Sequence, residues 1–88
     1  MSHDRATLAD AILRLCAERG AGKSICPSEV ARALAGNDEK VWRLLMHPIR
    51  EVAMALAREG RLVILRKGRP VAAGEPIRGV IRLALPAD

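Results

Sequence analysis

The stretch Ile25–Leu34, ICPSEVARAL, decides how the chain folds, because it reads either as a thiol site or as the beginning of a helix. Proline is tolerated at the first helical position, where its missing N–H has no partner to lose, and a glutamate three residues after a cap can reach back to the cap's own N–H. Cys26, Pro27 and Glu29 occupy those slots. Val30, Ala31 and Leu34 then make an apolar face at helical spacing, and Gly36 stops the run. The stretch therefore predicts a short helix over 27–35. Cys26 stands where Ser, Thr or Asp caps better, and a thiol at a helix N-terminus can be activated, so a small enzyme using Cys26 is a third, minor reading of the chain.

Upstream, Asp4 caps a helix over 4–19 that carries Leu8, Ile12, Leu15 and Cys16 on one stripe, with Arg19 in the last turn where the helix dipole favours a cation. Cys16 on that stripe is a small core residue. Downstream, Asn37 or Asp38 opens a third helical segment over 38–59. Its apolar positions Val41, Leu45, Ile49, Val52 and Leu56 hold one helical phase through Pro48. Proline removes a helical hydrogen bond and pushes the residue before it toward extended backbone, which predicts a break, with one helix over 38–46 and another from Pro48 to Glu59. A kink in one rod is the alternative. Trp42 and Met46, four apart, are expected as core anchors on one face.

After Gly60 the apolar period changes to two. RLVIL (61–65) and GVIRLAL (79–85) predict antiparallel wing strands over 61–66 and 79–85, RKGRP (66–70) predicts a turn, AAGEPIRG (72–79) a loop and PAD (86–88) a tail. The expected fold is mainly α with a small antiparallel β-hairpin. It is a winged helix-turn-helix in a single domain spanning 1–88, with three to four helices followed by a two-stranded wing.

Composition narrows the function classes. A chain of 88 residues buries only about 60–65% of its unfolded surface, and its apolar content is Leu, Ala, Val and Ile with one Trp and no Phe or Tyr. Its longest apolar runs fall well short of a membrane span, and MSHDRATLAD lacks a signal-peptide core, so a cytoplasmic protein with no membrane partner is expected. Cys16 and Cys26 are expected as free thiols. With His3 and His47 they do not assemble a four-ligand metal site, and no metal or cofactor is expected. The net charge of +5 is uneven: residues 1–42 hold six Lys/Arg against six Asp/Glu, and residues 43–88 hold nine against four. The excess on the second part points to a polyanionic partner.

The winged arrangement offers the polar face of its last helix to a major groove and a basic hairpin tip to phosphates. His47, Arg50, Met54 and Arg58 on that helix, with Arg66, Lys67 and Arg69 at the tip, are the candidate nucleic-acid contacts, and double-stranded DNA is the expected partner. Arg50 is expected at base edges and Arg58 at backbone phosphates. The alternative is a protein-protein interaction adaptor that docks a partner on the same helix and the Trp42 region. Glu51 and Glu59, which a phosphate-lined groove repels, favour that alternative. No Ser-His-Asp set or carboxylate pair stands at a usable spacing, so no enzyme activity is expected. GAGKS (20–24) imitates the end of a phosphate-binding loop, but the first glycine position holds Ala17 and the preceding element is a helix. Lys23 and Ser24 belong instead to a loop or a short strand beside the hairpin.

The segments ICPSEVAR (25–32), WRLLMHPIR (42–50), GRLVILRKGRPV (60–71) and GVIRLAL (79–85) resemble the signature segments of a small bacterial family of domains of unknown function. The resemblance covers nearly the whole chain. It implies a winged-helix-like fold and a bacterial cytoplasmic origin, and it implies no activity. In the wing, Ala72, Ala73, Gly74 and Glu75 replace the acidic and aromatic positions associated with that family.

Overall fold

Asp4 starts the first helix through its carboxylate, which accepts the Thr7 N–H at 2.8 Å, and α1 (Arg5–Arg19) ends where Gly20 turns the chain at a φ of 109°. The computed structural model describes residues 3–72, Glu75 and 77–87; Ala73 and Gly74, two of the four wing departures, lie outside the described residues. The opening stretch is a helix start. α2 (Pro27–Ala35) has Cys26 as its cap, Pro27 in its first turn and a capping box closed by Glu29, whose carboxylate accepts the Cys26 N–H at 2.8 Å.

The third segment is broken, and the break falls earlier than Pro48. α3 (Glu39–Trp42), capped by Asp38, passes into a 3₁₀ turn (Arg43–Leu45) and then into α4 (Met46–Arg58). His47 is helical, against the extended geometry expected before proline. Pro48 is the third residue of α4, where a backbone N–H has no intrahelical partner, and the strain it would impose on the carbonyl four residues back lands on Leu44, inside the 3₁₀ turn. That tighter turn advances the chain by about 60° over three residues relative to an α-helix. Ile49, Val52 and Leu56 stay buried, while Val41 is 46% exposed and Leu44 74%.

The sheet has three strands in the order β2-β1-β3, where two were expected. β1 (Val63–Arg66) pairs antiparallel with β2 (Arg69–Pro70) and with β3 (Arg82–Ala84). Both wing strands are shorter than the expected 61–66 and 79–85, and each begins three residues after a glycine at positive φ, Gly60 before β1 and Gly79 before β3. On the free edge of β3, Ile25 exchanges both backbone hydrogen bonds with Leu83, at 2.8 and 2.7 Å. The segment after the GAGKS loop is thus a one-residue strand.

Burial gathers Leu8, Ile12 and Cys16 of α1, Val30 and Ala31 of α2, Ile49, Val52 and Leu56 of α4, and Ile25, Ile64 and Leu83 of the sheet into one core. Trp42 and Met46 pack against it half-buried, with the Arg32 guanidinium 5.5 Å from the Trp42 ring centre. At the seam between helices and sheet, Arg82 donates to the Ser24 hydroxyl at 2.6 Å and to its carbonyl at 2.9 Å. Arg19 donates to the Ser24 carbonyl and pairs with Glu29. Two guanidinium groups and one carboxylate thereby fix the Ile25 strand between α1, α2 and β3.

Candidate nucleic-acid interface

The basic tip is built by backbone geometry. Arg66 and Arg69 are paired residues, so only Lys67 and Gly68 form the loop, at φ values of 53° and 78°. Two consecutive positive φ angles are the signature of the tight hairpin turn whose twist matches the flanking strands. The turn projects Arg66, Lys67 and Arg69 into solvent, and none of them enters an ion pair among the described residues. Three cations thus sit within four residues on a rigid ribbon.

The four helical candidates follow one stripe of α4, at spacings of three, four and four residues, but meet different neighbours. Arg50 is half-buried and donates to the Gly79 carbonyl at 3.2 Å, tying α4 to the chain that returns from the wing. Met54 lines a small gap with Ala57, Ile64, Val71, Ala72, Glu75 and Ile77. Its surroundings are packing surface beneath the wing. His47 and Arg58 are exposed and line a groove with the start of α1, about 16 Å apart along the helix. His47 Nε2 is 3.6 Å from Glu51 Oε1. The structure thus brings together Arg66, Lys67 and Arg69 at the tip, and sets His47, Arg50, Met54 and Arg58 along one stripe of α4, of which Arg50 and Met54 meet the chain beneath the wing while His47 and Arg58 line a groove with α1.

Because the polar turn after α2 leads into Glu39 rather than Pro48, the helix that follows it begins nine residues before the proline. Lys40, Arg43 and Leu44 are exposed on that early section and escaped the sequence reading, which took Pro48 as the start of the groove-facing helix. Asp38 held the signal: its carboxylate caps the segment by accepting the Lys40 N–H at 3.0 Å.

Among the described residues there is no group of three His, Cys, Asp or Glu side chains able to hold a metal ion, and no helix is long and apolar enough to cross a membrane. Cys16 is buried, and that burial pushes its thiol up to about 11, with Arg19 pulling weakly the other way.

Helices first, then a three-stranded antiparallel sheet with a basic hairpin, define a mainly helical domain compatible with a winged-helix arrangement. The chain belongs to the family described as Protein of unknown function (DUF3253), which it matches over residues 5–86. No curated protein matches the chain.

Proposed function

We propose that the chain is a cytoplasmic module that binds double-stranded DNA and carries out no catalysis of its own. The observation that supports it best is the hairpin tip: three exposed cations, in no ion pair among the described residues, clustered on a tight turn of defined backbone geometry. Cations clustered this way release counterions from a polyanion on contact. Arg50 acts here as a positioning residue, holding the wing against α4 through Gly79. Replacing Arg66, Lys67 and Arg69 together with alanine is expected to weaken binding to every duplex in a pooled set. The slope of log affinity against log salt should fall by up to about 0.9 per lost contact, read by fluorescence anisotropy at several salt concentrations. A parent protein that binds no duplex at low salt refutes the proposal.

One observation favours the second reading, a protein-interaction adaptor. Val41 and Leu44 are exposed large apolar side chains on the section that leads into α4, beside Lys40 and Arg43. Leu44→Ser is expected to leave duplex affinity within about twofold if DNA is the partner, since a serine at the helix surface neither adds nor removes charge.

A further inference from the structure

Both histidines of the chain, His3 and His47, line one groove between the start of α1 and α4. The nearly buried Leu8 and Val52 form its base with Pro48, and Arg5, Glu51 and Arg58 complete the lining. Its volume of about 340 Å³ lies within the range of small-ligand sites. Arg5 and Arg58 enter no ion pair among the described residues. Of the nearby carboxylates, Asp4 accepts the Thr7 N–H, and Glu51 lies within the groove against His47, which leaves the two guanidinium groups as its cations without an ion-pair partner among the described residues.

We propose that this groove binds a tetrahedral oxyanion of the phosphate class, with Arg5 and Arg58 as its guanidinium ligands. The two forks come from different helices. A carboxylate offers two oxygens to the two forks, whereas a tetrahedral oxyanion of the phosphate class offers up to four and a greater charge. The groove is open, so it suits a phosphate carried on a larger molecule. Under the DNA reading, that molecule is the duplex backbone. A helix about 10–12 Å across fills a major groove about 12 Å wide, so its two flanks face opposite phosphate rims. The wing would then take one rim and this groove the other. Only that assignment of the source rests on the DNA reading.

The test follows the imidazole NMR signals of His3 and His47 while inorganic phosphate or sulfate replaces chloride at constant ionic strength. Saturable shifts of both histidines are expected, with affinity at least tenfold weaker in the Arg5→Gln/Arg58→Gln variant and largely kept in Arg58→Lys. Shifts no different from those in chloride overturn the proposal, as do acetate binding as tightly as phosphate or a double variant equal to the parent. Should the double variant fail to fold, the comparison of phosphate with chloride and acetate on the parent still decides. Duplex titrations then separate the sources. A salt slope lowered by up to about 1.8 in the double variant assigns the oxyanion to the DNA backbone. An unchanged slope in a double variant that has lost phosphate binding assigns it to a free phosphate compound. A parent that binds phosphate but no duplex refutes the DNA reading and leaves the groove standing.

Discussion

Glu29 ties the start of α2 to α1 by accepting from the Cys26 N–H and pairing with Arg19. The Cys26 N–H hydrogen bond holds its carboxyl below the usual carboxylate range, with the Arg19 and Arg82 guanidinium groups acting in the same direction against partial burial. A depressed folded-state value contributes stability above the ordinary value of 4.5, and that contribution is lost as pH falls from there toward the lowered folded value. Glu29→Ala is therefore expected to cost about 1 kcal/mol at pH 7, through the lost box and a pair too exposed to count fully. In urea unfolding series the gap from the parent should shrink only below about pH 4.5. The two cysteines are expected to behave oppositely. In the Cys26→Ser variant, a disulfide-exchange reagent should reach Cys16 only at the rate of unfolding, because the thiol is buried and protonated at neutral pH. In Cys16→Ser, the half-buried Cys26 should react without unfolding.

At the scale of elements, the hairpin turn separates charge from structure. Among the described residues Lys67 is the non-glycine residue at positive φ, a position that asparagine tolerates better. Lys67→Asn should leave the melting temperature equal or slightly raised while lowering the salt slope of duplex binding by up to about 0.9, which isolates one tip cation without disturbing the turn. Pro48→Ala should shift stability by less than about 0.5 kcal/mol, since the proline occupies a first-turn position rather than a helix interior. That same position explains what the sequence concealed. Proline marked a break, but its steric demand acts four residues upstream, so the break appears at Arg43–Leu45 and the helix exposed after α2 starts at Glu39. α1, α2 and the period-two strands were legible because caps and apolar spacing agree there. β2 was not, because a two-residue strand ending in Pro70 carries no periodicity. In the candidate site the tip cations were legible as a charge run around Gly68. The roles of Arg50 and Met54 were not, because nothing local in α4 reveals that the chain returning from the wing lies against them.

Across the whole molecule, Leu83 is the point where sheet and helices meet: it is fully buried and pairs with Ile64 on one side and Ile25 on the other. Leu83→Ala is expected to cost about 3 kcal/mol, a large share of the roughly 5–10 kcal/mol that holds a chain of this size together, and should lower the urea midpoint accordingly. The seat of Leu83 also sets an order of events. β3 lies between β1 and the Ile25 strand, so the middle strand of this arrangement is the one furthest along the chain. During synthesis, α1, α2 and α4 leave the ribosome and fold locally while Ile25 and Ile64 still lack the backbone that will join them. The nascent chain therefore carries an open slot flanked by two unpaired edges until residue 83 has emerged. A ribosome stalled with residues 70–80 in its exit tunnel would hold a species most in need of chaperone cover, and emergence of residues 82–84 supplies the backbone that fills the slot.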